Sequence, residues 1–441
     1  METLRKRLVP DTYAELAYMI RMFDEGGMPV YPAGMEEHFR VAKEKPDAFR
    51  NHAAVLAISL GGTNTKIMLA SMREGLLWAE YVRALENPEQ ETSFYDYLDD
   101  LILHDEVIDH YLRTAQMPCI GVSLPMTIVK NCPFHVTKLP TIVGLAARSP
   151  EQCTPEMEFD ANFARYLKSR GYTRPVQLFY QSDGIVAHHG AVSLYDMDVR
   201  DKSVLCICGT GMANGDERSY LPIALLCNLA KDDDLYPPQE TENRQLNYAI
   251  AGKGVFSLMR RAVETRARMA GSALAGKSLE RFFLDPRATR TVFEVWQTML
   301  EPGFETPRTK EIREAAGPAA FCELQQLADM IATRDYETLA NTILSTFVSM
   351  GVPEEGGCNI LFFEGSIACN PALNQRLQRN IREKAANQAF FAEIGKPMHT
   401  DIRMDTPLKP VMAAQDGIPL QAIDTTLIGT ATMIMACTLE Q

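Results

Sequence analysis

Several short clusters in this chain combine side chains and spacing suited to holding anionic oxygen and moving a proton. Gly61-Gly62-Thr63-Asn64 follows the apolar run Val55 to Leu60 and precedes a second run that begins Lys66-Ile67-Met68. A glycine pair there admits positive φ and removes the side chains that would keep a charged ligand at a distance. Consecutive N–H groups can then point at one anion, and the short hydroxyl and amide groups of Thr63, Asn64 and Thr65 suit phosphate oxygens. A glycine-rich hairpin that binds nothing has the same local text. Gly209-Thr210-Gly211 repeats the arrangement behind the run Val204 to Cys208, and Gly365-Ser366 stands behind Ile360 to Phe363. Between the first two lies Gln181-Ser182-Asp183-Gly184, an acid at the end of the apolar run Val176 to Tyr180 and before the Ala-rich stretch Ile185 to Leu194. A carboxylate at the carboxyl end of a strand is where open α/β sheets place ligand chemistry, and it is equally where a helix takes its N-cap.

These clusters need elements to carry them. The apolar runs read as strands over 55–60, 119–125, 176–180, 204–208 and 360–363. Helical periodicity covers 94–114, 156–170, 185–194, 248–268, 279–283, 290–300, 319–333, 336–350, a stretch from Pro371, and the small-residue segment Thr425 to Leu439. Strands mixed with helices in this way predict an α/β protein. Residues 1–52 read as a helical arm, with Tyr13, Leu16, Ala17, Ile20 and Phe23 near helical spacing behind Pro10-Asp11.

At 441 residues the chain exceeds what one core usually serves, so two domains with a site in the cleft between them are expected. The division predicted is 53–196 as a small α/β domain joined by the C-terminal helix 425–441, and 197–424 as a large α/β domain with a helical insertion. A net charge of −13 excludes sequence-independent binding to nucleic acid, which needs a basic surface. No apolar run spans a bilayer, and Asp11, Glu15 and Arg21 interrupt any signal-peptide core, so a cytoplasmic protein without membrane insertion is expected. The ten scattered cysteines read as reduced thiols, and no second Cys or His pair complements Cys206 and Cys208 as a metal site. His188 and His189 read as packing or surface residues. Neither a GxGxxG fingerprint nor a GxxxxGK[ST] loop is present, because the glycine after Gly211 falls at 215.

Glycine turns behind strands, with an isolated Asp between the first and second, resemble the order found in the sugar kinase, actin and heat-shock ATPase superfamily, and within it the hexokinase family most. The resemblance implies a two-domain actin-like (ribonuclease H-like) fold with an interdomain cleft. Gly61-Gly62-Thr63-Asn64, followed by Lys66, resembles the first phosphate loop, Gly209-Thr210-Gly211 the second, and Gly365-Ser366 the adenosine-side turn. Ser123-Leu124-Pro125 is similar to the family's sugar-binding Ser-Phe-Pro, and Thr137-Lys138 to its Thr-Lys pair. Asp183 falls at the family's catalytic base, within Ser182-Asp183 in place of Asn-Asp.

The implied activity is ATP-dependent phosphorylation of a hexose hydroxyl, with ATP and Mg²⁺ required and the metal held through water and phosphates without direct protein ligands. Asp183 would accept the hydroxyl proton, Lys138 would hold sugar and phosphoryl group together, and closure would exclude water. Self-association into a homodimer is left open. The chain also departs from the family. Ser59 stands where it has an acid beside the metal, and Asn214 lies one position late in the second loop. Asn247 aligns with one sugar-binding glutamate, the other having no match. The zinc-binding cysteines of the bacterial repressor-kinase branch are absent. A kinase for an amino or acylated hexose, and a catalytically weak sugar- or nucleotide-sensing protein of the same fold, are the alternative readings.

Overall fold

In the computed structural model the apolar run before Gly61 is the central strand of a sheet. Residues 51–62, 64–125, 127–129, 132–134, 139, 141–144, 158–194, 202–208, 212–215, 252–283, 288–333, 359–364, 400–403, 412–414, 418 and 423–438 are described. In chain order the principal elements begin with β1 (His52–Leu60), β2 (Asn64–Arg73) and β3 (Leu76–Glu86). Then come α1 (Phe94–Leu98), α2 (Glu106–Thr114), β4 (Cys119–Leu124), α3 (Phe159–Ser169), β5 (Gln177–Ser182) and α4 (Asp183–Leu194). The next group is β6 (Lys202–Cys208), β7 (Met212–Gly215), α5 (Gly252–Ala267), α6 (Ala288–Leu300), α7 (Pro307–Ala316) and a helix α8 over 318–333. The chain closes with β8 (Asn359–Glu364), β9 (Thr400–Arg403), β10 (Met412–Ala414) and α9 (Thr425–Thr438).

The first sheet has the order β10-β3-β2-β1-β4-β5, and the second the order β7-β6-β8-β9. In the first, β1 to β3 form an antiparallel meander while β4 and β5 run parallel to β1. The second sheet repeats part of that scheme: β7 is antiparallel to β6, and β8 and β9 are parallel. A strand–turn–strand hairpin followed by parallel neighbours on its first strand thus occurs twice, which is the organisation of the actin-like fold expected from the glycine turns.

Alternation along β1 decides what each face buries. Leu56, Ile58 and Leu60 pack with Phe94, Leu98, Leu101, Phe159 and Phe163 beneath the helices of the first unit. Val55 and Ala57 pack with Leu427, Ile428, Ala431 and Ile434 of α9. The two long terminal contacts of that face are close ones. A Cβ on Gly429 would fall 1.6 Å from the Val186 carbonyl oxygen, and one on Gly190 would fall 1.9 Å from that of Thr425, so α4 and α9 cross backbone to backbone. α4 also reaches the second sheet, where His188 Nε2 lies 2.9 Å from Ser203 Oγ on β6.

Three features differ from the sequence reading. The stretch 94–114 is not one helix: a π-helical turn (Asp99–Leu103) ends it, and Asp105 starts α2 by accepting the Val107 and Ile108 N–H groups, both at 3.1 Å. The highly charged α7 was not expected; Thr306 and Thr309 close a capping box around Pro307. Finally, β10 was read as part of the second domain, yet its residues pair with β3 of the first sheet, Ala413 opposite Trp78. Of the expected arm over 1–52, residues 1–50 lie outside the described residues and His52 already belongs to β1; the helices expected over 336–350 and from Pro371 also lie outside them.

Candidate functional site

The turn between β1 and β2 is closed by a hydrogen bond from the Gly61 N–H to the Asn64 carbonyl, 2.9 Å. Glycine is required at 61 by space and not by positive φ, since a Cβ there would meet that same oxygen at 2.6 Å. Asn87, just past β3, fixes the turn from outside: its Nδ2 donates to the Gly61 carbonyl at 2.8 Å, and its Oδ1 accepts from Thr65 Oγ1 at 3.1 Å. Sequence reasoning missed Asn87, whose only signal was its place before Pro88 at a strand end.

Strand register brings side chains of distant segments into one row. Lys66 pairs with Ser59, Ser59 with Ser123, and Ser123 with Gln181, across β2, β1, β4 and β5 near the carboxyl ends of the parallel strands. All are on the face that α4 and α9 cover. Ser59, Ser123 and Gln181 are buried, and the Ser123 hydroxyl, wholly removed from solvent, has no hydrogen-bond partner among the described residues. A buried orphan hydroxyl costs about 1–3 kcal/mol unless something else satisfies it, so it marks a place for an incoming polar group. The Ser182 hydroxyl, on the opposite face with Leu124 and Tyr180, is likewise buried and unpartnered.

Asp183 follows Gln181 by two residues and opens α4 at the end of β5. It is half-buried, and its Oδ1 accepts the Gly184 N–H at 2.7 Å. The carboxylate thus stands on the first residue of a helix, at the edge of the sheet that also carries the Gly61 turn. Lys66, expected to meet phosphate, reaches Asp424 Oδ2 at 2.6 Å, while Asp424 Oδ1 accepts the Leu427 N–H at 2.9 Å and starts α9.

Of the other residues singled out, Gly62 and Asn64 lie in the turn and at the start of β2. Asn214 lies on β7, opposite Cys206. Thr63, Thr137, Lys138, Gly209, Thr210, Gly211, Asn247, Gly365 and Ser366 lie outside the described residues. The strands that precede the second and third glycine turns, β6 and β8, are parallel neighbours.

Neither a family model nor a curated protein matches this sequence. Solved structures do. A hexokinase matches over 92% of this chain and 92% of its own at 15% identity, with a TM-score of 0.53. The hexokinase from Schistosoma mansoni complexed with glucose matches over 97% of this chain and 99% of its own at 13% identity, also with a TM-score of 0.53. The chain has the hexokinase fold. At such identities the likeness is one of fold, and it runs nearly end to end, so the hexokinase fold accounts for both sheets and for the return of α9 to the first.

The donor set fits the groups that a hexokinase-like protein would take. A tight turn that excludes a side chain at Gly61, a lysine and an unpartnered hydroxyl in one row suit phosphate oxygens, and the carboxylates of Asp183 and Asp424 suit a hydrated Mg²⁺, which keeps several of its waters. Among the described residues no group of three or more His, Cys, Asp or Glu side chains could hold a metal ion. No helix among them is long and apolar enough to cross a membrane.

Proposed function

We propose that this protein transfers the γ-phosphoryl group of ATP to a hydroxyl of a hexose or a close relative. The observation that carries the proposal is the position of Asp183, a half-buried carboxylate at the carboxyl end of β5, on the same sheet edge as the Gly61 turn and the row Lys66, Ser59, Ser123 and Gln181. Phosphoryl transfer asks a protein mainly to position two reactants and to neutralise charge. The Gly61 turn would hold phosphate oxygens through main-chain N–H groups. Ser123 would give its hydroxyl to the sugar, with Ser182, Asn214 and Asn247 as further contacts. Asp183 would align the attacking hydroxyl and take its proton. Lys138, with Thr137 beside it, would steady sugar and phosphoryl group, and Gly209-Thr210-Gly211 with Gly365-Ser366 would take the rest of the nucleotide. Mg²⁺ bound to the nucleotide neutralises phosphate charge and orients the transferring group.

The test is an ADP-release assay with ATP and Mg²⁺ over a panel of hexoses, hexosamines and acylhexosamines. Sugar-dependent release with at least one of them supports the reading, and absence of release with all of them removes it. A catalytically weak, ligand-sensing protein is the second reading; the observation favouring it is Ser59, a neutral residue on the row facing Lys66. It predicts sugar or nucleotide binding by calorimetry without turnover.

A further inference from the structure

The Lys66–Asp424 ion pair lies at the base of the Gly61 turn, its two members tied to each other. Lys66 lies on the row, cross-strand from the neutral Ser59, and its ammonium is spoken for by a carboxylate from 358 residues further along the chain. The two side chains are about a quarter exposed, at 25% and 28%. An ion pair so open to water contributes about 0–1 kcal/mol to stability. It is not needed to anchor α9, which is held by the buried Leu427, Ile428, Ala431, Ile434 and Met435. Its charges are therefore cheaply exchanged. Close by on the same row, with only β1 between, is the buried Ser123 hydroxyl, without a partner among the described residues.

A metal–phosphate pair presents the same pattern of charges in reverse, an anion for the ammonium and a hydrated cation for the carboxylate. We propose that Lys66 and Asp424 form an exchange pair: on binding of Mg²⁺·nucleotide, Lys66 turns to phosphate oxygen and Asp424 to the water shell of the metal. The proposal rests on the nucleotide being held at the Gly61 turn. Asp424 thereby supplies, from the start of α9, the negative charge that Ser59 lacks. No net charge is left unpaired in either state, so the exchange avoids the cost of stranding a lysine or a carboxylate.

The experiment is calorimetric titration of the full chain with ADP, in EDTA and in excess Mg²⁺, for wild type, Asp424→Asn and Lys66→Met. Asparagine retains an oxygen for the Leu427 N–H and is as good an N-cap as aspartate, so α9 keeps its first turn; thermal melts check this, and Asp424→Ser serves if the first variant does not fold. In EDTA, Asp424→Asn is expected to bind ADP roughly two- to fivefold more tightly, the worth of a partly exposed ion pair released from Lys66, whereas Lys66→Met binds more weakly. The gain in affinity that Mg²⁺ brings should shrink about 10- to 100-fold in Asp424→Asn, the range seen for partners outside the metal's first shell. If Asp424→Asn keeps the wild-type response to Mg²⁺, or if both variants shift metal-free affinity in the same direction, the pair is a structural tie and the proposal is wrong. Wild type that binds ADP under neither condition overturns nucleotide binding at the turn as well, which tells the two failures apart.

Discussion

Replacing Asp183 by Asn keeps the side chain's size and an oxygen for the Gly184 N–H, and removes the proton acceptor and its charge. Loss of a general base costs about two to four decades in rate. Asp183→Asn is expected to lower kcat on the best sugar by that range with ADP affinity nearly unchanged, as steady-state kinetics paired with calorimetry would read. Near-wild-type turnover would remove Asp183 from the chemistry. This residue was legible because a short apolar strand, one acid and an Ala-rich helix adjoin in the text. Ser59 and Ser123 were singled out only through the family resemblance, each sitting inside an apolar run, one residue before Leu60 and Leu124. Asn87 and Asp424 were not, because neither stands beside what it holds: Asn87 reaches back 26 residues to Gly61, and Asp424 is brought to Lys66 only by the packing of α9.

At the level of elements, α4 and α9 cross backbone to backbone at Gly190 and Gly429. Gly429→Ala would set a methyl group 1.6 Å from the Val186 carbonyl oxygen, so the helices must separate. Overpacking of this kind costs about 1–3 kcal/mol, and the urea midpoint should fall accordingly; an unchanged midpoint would mean that the two backbones are not in contact. The strands on either side of the first glycine turn, and the one before the second, were readable from apolar runs of useful length, whereas β7, Met-Ala-Asn-Gly, was not. The strands β9 and β10, with 4 and 3 residues, were too short to show a period. The α7 sequence PRTKEIREAA is polar nearly all round, so its helix depends on its cap and on the buried Ile312 and Ala316. The break before α2 was legible only as a single Asp, whose carboxylate also takes Tyr81 Oη at 2.7 Å and Arg83 Nη1 at 2.8 Å. Burial opposes ionisation of Asp105, and the hydrogen bonds from Tyr81 and Arg83 outweigh it, leaving its carboxyl below the usual range.

For the whole molecule, α4 ties the first sheet to the second through buried histidines. His188 meets Ser203, and its ring lies 6.4 Å from that of Phe362 on β8. Burial, with the neighbouring His188 as a smaller contribution, pushes His189 down to about 3. The unfolded chain takes up a proton on this residue near pH 6.5, whereas the native state refuses it down to about 3, so native stability must fall as pH drops through 6.5. Urea midpoints measured at pH 7.5 and 5.5 should differ in that direction, and His189→Gln should lessen the difference. If the variant titrates as wild type does, the buried histidine is not the source. The sequence left both histidines as packing or surface residues, and packing is what the structure finds.

The pairing of β10 with β3 has a consequence for how the chain is made. The first sheet opens at residue 52, but its outer strand is Met412–Ala414 and the helix covering one face ends at Thr438. A chain emerging from the ribosome can therefore pair β6, β7, β8 and β9 before it can finish the sheet it began with. Until Met412–Thr438 is released, β3 offers an open edge and the Val55–Ala57 face is bare, the conditions under which nascent chains associate wrongly. A version ending after Arg403 should be recovered as aggregate or chaperone-bound protein, with 52–86 cut by protease at sites that the full chain protects. Equal protection in the two would mean that the early strands close without help from the end of the chain.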